Sequence, residues 1–319
     1  MRFFIGVFIV LTSFFSCTKE KINKIDVSNI NVNFSVERFD IDFYTANEKS
    51  LPKIKQKYPY FFPAEITDAV SLSKINSKDE QELFAETQQI FNDFSSTKKQ
   101  VTSLFKHVKY YNPKYKAPNV ITMLSNIDYD SRVIYADSLL LISLDVYLGK
   151  NHKFYGSYPK YIKENNTKNH LIVDVANTII DKQIPPNTDR SFIGKMIHEG
   201  KKMYLLDLYL PSISNKEKSG FETDKLNWAI ANEEQIWMHF IEKKLLYSTD
   251  TKLNQRFLET APFSKFYLEQ DNLSPGKIGV WVGWQIVTSY MKHNDVSLQE
   301  LLKISATDLL QKSNYKPKK

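Results

Sequence analysis

The sequence predicts an α+β, helix-rich protein in which a small β-sheet is followed by a helical half. Three observations lead there. Glycine is scarce, 9 in 319 residues, while 18 Tyr and 21 Phe are present, a composition that favours packed helices over loops or low-complexity sequence. After Pro113 and Pro118, β-branched or continuous apolar runs follow one another at 120–124, 132–136 and 139–148, broken by Asn, Asp and Ser. From Leu171 onward the apolar residues fall at helical spacing.

The first sixteen residues are set apart from this body. Arg2 supplies a short positive region, and residues 3–11 (FFIGVFIVL) form an apolar run of export-signal size, too short to span a bilayer. Ser13 and Ser16 are small, and Cys17, the sole cysteine, follows directly. That is the lipobox arrangement, in which the thiol receives a diacylglyceryl group and the amine freed by cleavage a further acyl chain. Phe14, at the third position before the cysteine, departs from the usual Leu. We expect a lipoprotein signal peptide over 1–16 and lipidation of Cys17. The alternative is an ordinary signal or uncleaved anchor with an incidental cysteine. Several acyl chains hold a protein on a membrane stably. Such a chain works in the cell envelope and forms no internal disulfide.

Residues 17–32 are polar and read as a tether. Residues 33–319 are long enough, in a chain of 42% hydrophobic content, for one self-sufficient domain. Its parts are a mostly helical stretch at 33–118, the sheet at 119–155 and the helical part at 170–319. The net charge of +7 is spread along the chain, without the stripe that nucleic acid requires. Lys316, Lys318 and Lys319 make a small basic tail.

Within the domain, residues 34–44 alternate enough for a short strand. Ser77 and Glu80 have capping-box spacing, ahead of Leu83, Thr87, Ile90, Phe91 and Phe94 on one helical face. A second helix carries Val101, Leu104, Phe105 and Val108. Later helices are expected at 189–209 with Asp189 as N-cap, at 223–246 and at 274–291. The last, capped by Ser297 and Glu300, ends near Lys312.

One constellation could carry chemistry. His198 and Glu199 lie mid-helix after apolar residues, like the front half of a zincin HExxH motif. That motif needs a second His four residues on, so that both imidazoles face one Zn²⁺. Here the position is Lys202, and a protonated ammonium offers no lone pair. A third ligand in glutamate-type zincins is a Glu on a following helix, and Glu233, after Asn232 and flanked by apolar residues, has that placement. The strand block before the helix and the Asn-Glu after it give the fold a resemblance to a degenerate, gluzincin-like metallopeptidase. His107, His152, His170, His239 and His293 fall at no spacing that supplies the missing ligand. We therefore expect no bound metal, no cofactor and no catalytic residue. The preferred reading of His198, Glu199, Lys202 and Glu233 is a buried ion network joining two helices.

Gly279 and Gly283, four apart on a helix and framed by Trp281 and Trp284, form the second constellation. Soluble helices avoid glycine unless something packs closely on that face. A groove for a peptide or glycan chain and tight packing of another helix both explain the pattern, and packing is preferred.

Several long segments resemble the gliding-motility lipoprotein B (GldB) family of the Bacteroidetes: IHEGKKMYLLDLYLP (197–211), NWAIANEEQIWMHFIEKKLLYSTD (227–250), RFLETAPFSKFYLEQDNLSPGKIGVWVGWQIVTSYM (256–291) and the ending SNYKPKK. VIYADSLLLISLDVYLGKNHKFY (133–155) is similar to the family's middle block. The resemblance implies a membrane-held envelope lipoprotein needed for surface gliding and bound up with type IX secretion. Other gliding or secretion proteins are then the expected partners, with peptidoglycan a further candidate and nucleic acid excluded. The family carries no established catalytic residues, which leaves a zinc-metallopeptidase-like enzyme acting on envelope protein or peptidoglycan peptide as the alternative function. Surface-exported lipoproteins of this group resemble Cys followed by an acidic cluster. Lys19-Glu20-Lys21 is a poor version of it, which favours the periplasmic leaflet of the outer membrane.

Overall fold

The computed structural model describes residues 25–319, so the signal, Cys17 and the first half of the tether lie outside the described residues. Four short strands form one mixed sheet in the order β1–β2–β4–β3: β1 (Val36–Arg38), β2 (Asn119–Met123), β3 (Val133–Ala136) and β4 (Leu139–Ser143). β1, β2 and β4 run parallel, and β3 closes one edge antiparallel to β4. The inner strands β2 and β4 are apolar almost throughout, as strands covered on both faces must be, whereas β3 alternates half-buried with exposed residues. The three strands expected at 120–148 are therefore present, the third ending at Ser143, where a 3₁₀ turn over Leu144–Val146 takes over.

Residues 34–44 are only partly the strand they suggested. β1 has three residues and passes directly into α1 (Phe39–Tyr44). Asp40 fixes this corner: it is fully buried, ion-paired with Arg38 at 2.7 Å, and accepts hydrogen bonds from Gln88 and from Thr122 of β2. The rest of the first part is α2 (Leu51–Lys57), α3 (Asp68–Ile75), α4 (Lys78–Phe91) and α5 (Ser95–Tyr111). Helix α4 starts where Ser77 and Glu80 place it, but no capping box forms. The Glu80 carboxylate instead accepts from the Tyr44 hydroxyl.

The second part contains α6 (Lys160–Lys163), α7 (Leu171–Gln183), α8 (Phe192–Tyr209), α9 (Asn215–Ser219), α10 (Thr223–Ala231), α11 (Glu233–Glu242), α12 (Lys252–Phe257), α13 (Ile278–His293), α14 (Leu298–Lys303) and α15 (Ala306–Lys312). The N-cap of α8 is Ser191 rather than Asp189, whose carboxylate orients Ser191 by accepting from its amide and hydroxyl. The single helix expected at 223–246 is broken at Asn232, whose side-chain amide donates to the Trp228 carbonyl in competition with the backbone. The Ser297–Glu300 capping box is formed, but Ser305 starts a separate final helix.

The buried apolar residues fall into two clusters that meet on α8. Its first half (Phe192, Ile193, Met196, Ile197) belongs to the helical core with α11, α12 and α13, and its second half (Leu205, Leu206, Leu208, Tyr209) to the core under the sheet. A helix of 18 residues, about 27 Å long at 1.5 Å per residue, is thus the spine of the molecule. Helix α13 crosses it backbone to backbone: a Cβ on Gly283 would overlap the Met196 carbonyl, and one on Gly200 would overlap Gly283. Among the described residues, no helix is long and apolar enough to cross a membrane.

Candidate functional site

The helical period puts Ile193, Met196, Ile197 and Gly200 against α13 and leaves Glu199, Lys202 and Met203 on the neighbouring stripe. That stripe borders a cavity of about 280 Å³ enclosed by α7, α8, α9 and the start of α13. The side chain of Lys202 bridges two carboxylates, 3.1 Å from Glu199 and 3.0 Å from Asp181 on α7. Burial pulls the Lys202 ammonium down, but the two carboxylates outweigh it and leave its pKa above the usual lysine value. The next residue back turns the other way: Lys201 donates to the Ile304 carbonyl at the end of α14, and burial pushes it down to about 8.

His198 is half-buried and borders a separate, more open depression with Asn187, Lys195 and Asn254, which Glu199 also touches. Burial lowers its pKa, against the opposing pull of Glu199. Glu233 does not join this group. At 3% exposure on α11, it accepts from the Tyr315 hydroxyl at 2.9 Å, beside Lys318, and no hydrogen bond or ion pair links it to His198 or Lys202. The expected network is thus corrected: it holds Glu199, Lys202 and Asp181, joins α8 to α7, and leaves Glu233 to fasten the C-terminal segment. Burial raises the Glu233 pKa, with Tyr315 and Lys318 opposing.

The donor set does not fit a zinc ion. Lys202 occupies the second-ligand position with its ammonium already engaged by Glu199, and Glu233 is used elsewhere. Among the described residues, no three His, Cys, Asp or Glu side chains converge to hold a metal. Four of the other histidines have local polar partners: His152 faces Glu86, His170 lies between Glu217 and Asp174, and His107 and His293 bond carbonyls one turn back. His239 instead packs edge-on against Phe266, its buried Nε2 unpartnered among the described residues.

The glycines are spent on packing. Gly283 meets α8, and a Cβ on Gly279 would press on the Phe257 carbonyl and Leu258, so neither opens a groove. The tryptophans instead wall the cavity. Trp281 and Trp284 are 4% and 3% exposed, and the Trp284 indole donates to Asp207 at 2.6 Å. The other Asp207 oxygen accepts from Lys218 at 2.8 Å, so one buried carboxylate ties α8, α9 and α13 together. Sequence reading missed Asp207, although a lone carboxylate within the apolar run LLDLYL is a legible sign of a buried partner. It also missed Asp181, Lys218 and Lys277, for which no local pattern speaks.

With this geometry in place, comparison with known proteins identifies the family. The family model for gliding motility protein GldB matches residues 20–317. The chain belongs to the GldB family. It is accordingly a gliding motility protein, and the cavity, the Lys202 bridge and the Gly200–Gly283 crossing are features of a GldB-family domain. No curated protein and no solved structure gives a match.

Proposed function

We propose that this GldB-family chain is a lipoprotein of the cell envelope, held by Cys17 on the periplasmic leaflet of the outer membrane. It acts without catalysis as a component of the gliding machinery and its linked type IX secretion. The observation that carries the non-catalytic part is Lys202. An ammonium bridging Glu199 and Asp181 ties up the carboxylate that would have to activate a metal-bound water, at the position where a ligand is required. The lipobox before Cys17 supports the anchor, and Lys19-Glu20-Lys21 supports the periplasmic side. Exposed Tyr247, Tyr267 and Leu268, the last two on one loop of the helical half, offer apolar contacts to another protein of the machinery.

Two measurements test the reading. Cys17→Ala, exported and stable, is expected to abolish gliding. If it glides normally, the anchored-component reading is wrong. Metal analysis of the purified chain is expected to find no stoichiometric zinc. Zinc at one equivalent, lost in His198→Ala, would establish the metallopeptidase reading instead.

A further inference from the structure

We propose that the cavity between α7, α8 and α13 binds a small organic acid. Lys277 holds its carboxylate, and its apolar body lies against Met203, Phe221 and Trp281. This goes beyond the role in gliding and does not depend on it.

The first observation is an ammonium with nothing to donate to. Lys277, half-buried at the start of α13, lines the cavity, and among the described residues it has no hydrogen-bond or ion-pair partner. Its nearest carboxylates are committed elsewhere. Glu199 is taken by Lys202, and Asp174 is ion-paired with Arg132 at 3.3 Å and accepts from the Tyr147 hydroxyl at 2.8 Å. Both act on Lys277 only at longer range. An ammonium carries three N–H donors, and here none of them is used by the described residues, which leaves them for water or a ligand in the cavity. The other two lysines of the cavity, Lys202 and Lys218, are paired. Lys277 alone is left for a ligand.

The second observation is that the direction of Lys277 is built into the loop. Its backbone is left-handed, with φ of 55°, an unfavourable conformation for a residue with a Cβ. Two fully buried serines hold the turn. Ser264 accepts from the Ile278 amide and donates to the Pro275 carbonyl, while Ser274 accepts from the Ser264 amide. Gly276 lies so close to the Ala261 carbonyl that no side chain fits there. The tightness of this turn sets where the lysine stem leaves the backbone.

The third observation is the character of the cavity. Its lining combines the apolar Met203, Phe221, Leu258, Val280 and Trp281 with Asn177, Ser219 and the charged groups. Its 280 Å³ is on the order of nine waters at about 30 Å³ each, room for one ring and a short acid arm. Glu199 and Asp181, partly open to solvent, line the same cavity and would repel a dianion. A monoanionic carboxylate with an apolar body therefore suits the site better than a phosphate.

The test titrates the full chain in detergent with 3-phenylpropionate, its amide and inorganic phosphate by calorimetry. The acid is expected to bind about tenfold or more tightly than the amide, the usual effect of a hydrogen bond to a charged group, and phosphate not at all. Lys277→Met should remove the preference for the acid while leaving thermal unfolding cooperative. Met203→Trp, which fills the cavity and keeps the ammonium, should abolish binding of both compounds. Equal affinity for acid and amide, no acid binding at millimolar concentration, or full acid binding by Lys277→Met would each overturn the proposal.

Discussion

The two walls of the cavity treat charge in opposite ways. On the α7–α8 wall, Lys202 sits between Asp181 and Glu199, and its pKa ends above the ordinary value although burial works against it. On the α13 wall, Lys277 has no acceptor among the described residues, and burial drives its pKa down against the weaker pull of Asp174 and Glu199. The same residue type thus closes one wall and leaves the other open. The closed wall carries Glu199 of the enzyme-like His-Glu pair, while His198 faces the neighbouring depression, and the open wall belongs to the helix where sequence alone shows only packing glycines. Resemblance to a catalytic motif is therefore a poor guide here to where a ligand would go.

The sharpest way to break the comparison is to disconnect the walls. Asp207→Ala strands Lys218 and the Trp284 indole in the interior, and removing one partner of a buried pair costs about 3–5 kcal/mol. Chemical denaturation should register that loss. Gly283→Ala forces a methyl into the Met196 carbonyl where the backbones touch, and should destabilise by about 3 kcal/mol, the upper end of ordinary overpacking. Lys277→Met should act in the opposite direction and stabilise the free protein at neutral pH by about 1 kcal/mol, because it removes an unpartnered ammonium.

That gain depends on pH. The folded Lys277 pKa lies below its unfolded value, so between the two the unfolded chain binds more protons and wild-type stability rises with pH. The advantage of the Met variant should be full below the folded pKa and shrink toward the ordinary lysine range. Denaturation midpoints measured from neutral to alkaline pH would show it, and a pH-independent difference would count against the unpartnered ammonium. The smallest effect belongs to the closed wall. Lys202→Met removes ion pairs whose carboxylates are partly solvated, and should cost at most about 1 kcal/mol by the same measurement.

Much of the fold was legible because periodicity and turn residues act locally. The strands at 119–143, helices α4, α5 and α8, and the Ser297 capping box follow from patterns only a few residues long. The misses arose where a distant partner decided the outcome. Glu80 left its cap for Tyr44, 36 residues away, and Glu233 turned to Tyr315, 82 residues away. Asn232 broke a helix by an i−4 side-chain bond that competes with the regular pattern. At the site, Gly283 and Lys202 were recognisable as departures from what a helix or a metal site prefers. Lys277 was not, since its solitude is a property of four converging segments and no neighbour in sequence announces it.

The central claim is that Glu199 is held by Lys202 and that the His198–Glu199 pair performs no chemistry. Gliding of cells that carry Glu199→Gln at native protein levels tests it most directly, because the change removes the carboxylate that would have to activate a metal-bound water while keeping its shape. The account predicts gliding indistinguishable from that of cells with the unaltered chain. Loss of gliding with a folded, exported Glu199→Gln protein would contradict it.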